Sequence, residues 1–119
     1  MAAHIFLHNP LSFLNHILCS HSNASFVRVG SNATEVETTE RYIQRAKKLG
    51  LEVMANYMKS YVVSPKKFAE NVKKSEAYGA DVIYIVDSAG SMGRHEIESY
   101  YNEIRKVSNI KVGFHGHNF

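Results

Sequence analysis

His115-Gly116-His117-Asn118 closes a short apolar run, Ile110-Lys111-Val112-Gly113-Phe114. Side chains two residues apart on a β-strand project to the same face, so a strand through this segment aims both imidazoles at one spot. Imidazole is a good ligand for Zn, Mn, Fe or Ni ions, and two ligands on one rigid strand are oriented before any ion arrives. Alternation puts Val112 and Phe114 on one face and Gly113, His115 and His117 on the other. A glycine and two histidines fill a core poorly and serve a metal well. A pair does not complete a coordination shell, and the chain stops at Phe119. The expectation is a metal-enzyme site interrupted midway.

A strand must carry this pair, and the preceding sequence predicts what surrounds it. Phe26-Val-Arg-Val29 is a short β-rich run. Thr34-Glu-Val-Glu37 fits a capping box, followed at helical spacing by Val36, Ile43, Ala46 and Leu49, with Gly50 as the stop. Leu51 to Met58 reads as a strand. Ser64-Pro65 offers an N-cap and a first-turn proline for a helix carrying Phe68, Ala69, Val72 and Ala77, ending at Gly79. Asp81-Val-Ile-Tyr-Ile-Val-Asp87 is apolar on both faces, as a covered parallel strand should be. A third helix carries Ile97, Tyr100, Tyr101, Ile104 and Val107, and Ile110 to His115 forms the last strand. The predicted class is therefore α/β, with about four parallel strands alternating with helices. They form either an open doubly wound sheet or part of a (β/α)₈ barrel, which needs about 250 residues when complete. The first 25 residues are harder to read. Leu11, Leu14, Ile17 and Leu18 suit one helix, while His4, His8, His16 and His21 show no ligand spacing.

Chemistry in parallel α/β folds collects at the carboxyl ends of the strands. Ser31 and Asn32, Asn56 and Lys59, Asp87 and Ser88, and His115, His117 and Asn118 all fall there. Each has a structural alternative: Asp87-Ser88 can stabilise a tight loop, Asn56 can bond backbone, and Lys59 can be plain surface. Arg28 lies inside the first predicted strand, where a charge needs a partner. An interior ion pair and a ligand contact suit it equally. Ser88-Ala-Gly-Ser-Met-Gly93 lacks the dinucleotide-binding and P-loop patterns.

Composition narrows the function classes. At 119 residues the chain is one domain by length. Its formal charge of +3 is spread over Lys47, Lys48, Lys66, Lys67, Lys73 and Lys74, without the aromatic-interleaved basic stripe of a nucleic-acid binder. Cys19 is the single cysteine, which rules out an intrachain disulfide and fits a reducing cytoplasm. The N-terminus lacks the basic start of a signal peptide, and its apolar clusters are too broken for a membrane span. The expectation is a soluble, cytoplasmic protein.

Three stretches together carry a family likeness: Phe26-Val-Arg-Val-Gly-Ser-Asn-Ala-Thr-Glu35, Gly79-Ala-Asp-Val-Ile-Tyr-Ile-Val-Asp-Ser-Ala-Gly90 and Val112-Gly-Phe-His-Gly-His-Asn118. The chain resembles the metal-dependent aldolase and lyase superfamily that includes 4-hydroxy-2-oxovalerate aldolase, 3-hydroxy-3-methylglutaryl-CoA lyase and the isopropylmalate and homocitrate synthases. The order and spacing look most like the hydroxy-oxovalerate aldolase branch. The resemblance implies a (β/α)₈ barrel, of which residues 26–119 supply roughly the fourth to seventh strands. It implies that His115 and His117 are metal ligands, for Mn²⁺ first and for Mg²⁺ or Zn²⁺ as alternatives. It implies that Ser88 lies near a bound 2-oxo acid.

The implied reaction is cleavage of a 4-hydroxy-2-oxo acid to pyruvate and an aldehyde, with the metal as Lewis acid. A CoA-ester lyase or a Claisen-type synthase is the near alternative. Two departures stand out. The family's aspartate ligand and adjacent arginine on the first strand have no counterpart here, and neither does its loop base, so no catalytic residue is assigned. A partial barrel has open sheet edges, so it should self-associate or need the other barrel half, and it could be non-catalytic. Full-length members of the family pair with an aldehyde dehydrogenase.

Overall fold

Buried and half-buried side chains alternate along Phe26–Asn32, and the strand they form sets the architecture of the sheet. The computed structural model describes residues 2–6, as backbone, and residues 26–116. Five parallel strands lie side by side in chain order: β1 (Ala2–Phe6), β2 (Phe26–Asn32), β3 (Glu52–Met58), β4 (Val82–Asp87) and β5 (Lys111–Gly116). Helices α1 (Glu40–Lys48), α2 (Pro65–Tyr78) and α3 (Arg94–Val107) join β2 to β5 in turn. Strictly consecutive order is that of a (β/α)₈ barrel segment; a doubly wound sheet reverses its order at a switch point. The fold is thus part of such a barrel, with one strand more than the four expected. The additional strand is Ala2–Phe6, only five residues long. The helix expected around Leu11 to Leu18 lies outside the described residues.

Residues paired in register share a face, and the two faces differ sharply. Val27, Val29, Val53, Ala55, Tyr57, Ile83 and Ile85 are buried in one cluster with Ile43 and Ala46 of α1, Phe68 and Val72 of α2, and Tyr100 and Ile104 of α3. All three helices therefore cover the same side. Phe68 is the keystone, its ring edge-on to Tyr57 at 6.3 Å and to Tyr100 at 5.5 Å between centroids. Polar groups buried between the sheet and α2 bond one another. The Tyr57 and Ser75 hydroxyls bond each other, Ser75 Oγ donates to the Asn71 carbonyl at 2.9 Å, and Asn71 Nδ2 donates to the Ala33 carbonyl at 3.0 Å. The intervening residues Arg28, Met54, Asn56, Met58 and Tyr84 are only half-buried and stand outside that cluster.

Local signals were realised unevenly. Ser64 Oγ accepts from the Lys67 N–H at 3.2 Å with Pro65 as the first helical residue. Gly79, at φ +116°, ends α2 in the left-handed conformation that glycine tolerates. The expected capping box at Thr34 to Glu37 does not form. A short 3₁₀ turn, Val36–Thr39, precedes α1, and no side chain caps it. Thr38 Oγ1 instead donates to the Glu35 carbonyl at 2.5 Å.

Candidate active-site face

The side of the sheet that none of the described helices covers, here the helix-free side, presents ordered rows of side chains. Arg28, Met54, Val82 and Lys111 form one row, and Gly30, Asn56, Tyr84 and Gly113 form the next. Asn32 pairs with Met58, and Val86 with His115, at the carboxyl rim. In the middle row Tyr84 leans over Gly113: a Cβ there would collide with the tyrosine ring. The Arg28 guanidinium reaches across β3 to that ring, its Cζ 5.5 Å from the centroid. Arg28 Nε and Asn56 Oδ1 are buried without a hydrogen-bond partner. Arg105 Nε on α3 is likewise buried without a partner, and leaving such a group unmet costs about 1–3 kcal/mol.

At the rim, the carboxyl ends of β3 and β4 are tied together. Ser88 Oγ accepts from the Lys59 N–H at 3.1 Å. Lys59 sits at φ 56°, the one left-handed non-glycine residue among those described. Of the two duties considered for Asp87, the structure shows the stabilising of its loop. Its carboxylate turns into the following loop and accepts from the Ser91 N–H at 3.0 Å and the Met92 N–H at 2.8 Å. Burial pushes its pKa up, but the backbone donors of Met92, Ser91, Gly90 and Ala89 outweigh this and hold the carboxyl below its ordinary value. Asp87 is therefore the buried anchor of the β4–α3 loop. Glu35 accepts from Asn32 Nδ2 at 3.4 Å at the far side of the rim.

His115 is exposed near the carboxyl end of β5. It shares alternation with Gly113, and so belongs to the helix-free side. Its expected companion His117 lies outside the described residues, as does Asn118. Among the described residues no three His, Cys, Asp or Glu side chains gather into a metal cluster. Among the described residues, His115 is the one expected metal ligand whose position is shown.

No protein-family model matches the chain. Curated sequences do. A 4-hydroxy-2-oxovalerate aldolase of Geobacillus thermodenitrificans is 42% identical over 92 residues, which is 77% of this chain and 27% of that protein. One from Bacillus thuringiensis is 40% identical over 95 residues, 80% of this chain and 28% of its own length. This chain is related to 4-hydroxy-2-oxovalerate aldolases over part of their length. It spans about a quarter of the relatives it matches. Among solved structures, the N-terminal domain of a Bacteroides vulgatus protein assigned as an aldolase superposes with a TM-score of 0.83 at 26% identity, over 98% of this chain and 40% of that one. The HMG-CoA lyase of Brucella melitensis gives 0.73 at 15% identity, over 86% of this chain and 44% of the lyase. The lyase likeness speaks for the fold.

In parallel barrels chemistry collects at the carboxyl rim. A cleft of about 650 Å³ lies at the opposite end, lined by Lys47, Glu52, Glu76, Asp81 and Lys111 among others. Part of its charge is spent on structure: Asp81 pairs with Lys47 at 2.8 Å and accepts from the Val53 N–H at 2.8 Å. The amino-terminal end of a barrel is where residues serve stability, so cleft volume is a poor guide here. Reading the sequence alone singled out Arg28 but missed its stacking on Tyr84. The available signal was the pair of glycines, Gly30 and Gly113, flanking Asn56 and Tyr84 in one row.

Proposed function

We propose that this chain supplies part of the active site of a cytoplasmic, divalent-metal-dependent aldolase that cleaves 4-hydroxy-2-oxo acids to pyruvate and an aldehyde. The observation that carries this reading is its sequence identity to curated 4-hydroxy-2-oxovalerate aldolases, in a chain whose helix-free face ends in a histidine at the carboxyl rim. His115 and His117 hold the ion, Mn²⁺ first and Mg²⁺ or Zn²⁺ as alternatives. When bound, it supplies Lewis acidity toward the oxygens of a 2-oxo acid. Ser88 has the right chemistry to meet that acid. Its Oγ accepts from the Lys59 N–H, so its own proton is left to donate to a carboxylate or keto oxygen at the rim. That same bond fixes the hydroxyl's position.

No described residue is assigned as the general base, and Asp87 is committed to its loop. The reading therefore places a carboxylate ligand and a base in further barrel strands against β1 and β5, whether supplied by more of the same chain, a second copy or a companion.

Calorimetric titration of Mn²⁺ into the chain, with and without oxalate as a 2-oxo acid mimic, tests the reading. Stoichiometric binding that oxalate strengthens, and that a His115→Ala/His117→Ala variant loses, supports it. Binding that is indifferent to both histidines sinks it.

A further inference from the structure

The ladder between β3 and β4 stops short of the carboxyl rim, with Tyr57 and Ile85 as its last partners. Beyond them two serine hydroxyls tie the strand ends together. Ser60 Oγ accepts from the Val86 N–H at 2.9 Å and donates to the Tyr57 carbonyl at 2.7 Å, and Ser88 Oγ accepts from the Lys59 N–H at 3.1 Å. Between these ties the chain turns through Lys59, whose carbonyl accepts from the Val62 N–H at 3.0 Å. The turn needs φ 56° at Lys59, a conformation that glycine takes freely and lysine takes at a cost. Gly50, Gly79 and Gly90 fill the other left-handed positions among the described residues. Strain of this kind gathers at functional sites, and what the side chain adds here is a positive charge.

Positive charge is scarce at this rim. The connections after β2, β3 and β4, residues 33–39, 59–64 and 88–93, contain one cation between them, Lys59. It is exposed and has no ion pair among the described residues. Its backbone lies against Ser88, so its flexible four-carbon stem starts beside the hydroxyl assigned to the 2-oxo acid. Strand order then sets what the charge can meet. β5, β4 and β3 are neighbours at a spacing of about 4.8 Å, so His115, Ser88 and Lys59 stand at three adjacent strand ends in that order. A 2-oxo acid whose head is held between the histidine strand and Ser88 meets Lys59 only with its other end. We propose that Lys59 is a specificity-determining residue, selecting 2-oxo acids that carry a second carboxylate at the end remote from the keto group. This rests on the proposed function for the place of the keto acid and adds the chemistry of the rest of the substrate. The 4-hydroxy-2-oxovalerate for which the relatives are named ends in a methyl group, so the selection goes beyond theirs.

Calorimetric titration of the Mn²⁺-loaded chain with 2-oxoglutarate and with 2-oxovalerate tests this. The two acids have equal chain length and differ in a carboxylate against a methyl group at the far end. 2-Oxoglutarate should bind about 2- to 5-fold more tightly, the range of an exposed ion pair, and added salt should shrink the difference. Lys59→Arg should keep the preference, and Lys59→Gln should bring 2-oxoglutarate down to the affinity of 2-oxovalerate. Lys59→Gly relieves the strained turn, so it should melt at a higher temperature and still lose the preference, which separates the charge from folding. Equal affinity of the wild type for the two acids overturns the proposal and leaves the functional reading standing. Equal weakening of both acids by Lys59→Gln also overturns it, because the lysine then serves the keto-acid end they share. Binding of neither acid to the Mn²⁺-loaded chain overturns this proposal and the functional reading together.

Discussion

The two faces of this sheet come from the same strands, residue by residue in alternation, yet they are built to different rules. On the helix-covered side every residue of the central cluster is buried and the polar groups between Tyr57, Ser75, Asn71 and Ala33 bond one another. On the other side a cation lies over an aromatic ring and two buried polar atoms of the strands have no partner; off the sheet the same pairing recurs at Arg105 of α3, which lies over Tyr101 with its Nε unmet. A face that satisfies itself is structural. A face left with unmet hydrogen-bonding capacity is poised to receive something, and in parallel α/β proteins that is where ligands go.

If this contrast is real, equivalent substitutions should have unequal effects. The largest belongs to Phe68→Ala, which empties the space between Tyr57 and Tyr100. It should cost about 3–5 kcal/mol in urea denaturation, enough to threaten folding. Next comes a matched pair of asparagines. Asn71→Leu strands the buried Ala33 carbonyl and should cost about 1–3 kcal/mol. Asn56→Leu removes an acceptor that was already unmet, so it should be neutral or stabilising by the same measurement. Equal losses for the two asparagines would break the comparison.

A smaller effect concerns acid. The Asp87 carboxyl is held below its ordinary value of 3.8 by the loop N–H groups. A depressed folded pKa contributes stability that is present above the unfolded value and is lost as pH falls through the folded one. Asp87→Asn should therefore lower Tm near neutrality and flatten its fall in the acid range. Parallel acid melts of wild type and variant would contradict the anchoring role.

How much of this was legible in the sequence follows from the range of each interaction. The strands β2 to β5 and their helices rest on local alternation, caps and glycine stops, and these were readable at Ser64, Gly79 and the run Val82–Asp87. The strand Ala2–Phe6 was not, because five residues with one internal polar group carry little period of their own. It is the parallel register with β2 that defines it. Asp87 was readable as loop or ligand, and only the distances to the Ser91 and Met92 N–H groups separate the two. Arg28 was legible as a buried charge in need of a partner. That it crosses a whole strand to lie on Tyr84 depends on strand order and on the glycine at 113, which no local pattern encodes.

The central claim is that the chemistry belongs to the helix-free face at its carboxyl rim. Paramagnetic broadening by Mn²⁺ in the presence of oxalate tests it most directly, read at methyl groups throughout the chain. The account predicts loss of signal at Met58 and Val86, in the row of His115, while Val72 and Ile104 among the helices stay sharp. Broadening centred instead on Val53 and Ala80, beside the acidic cleft at the opposite end of the strands, would contradict it.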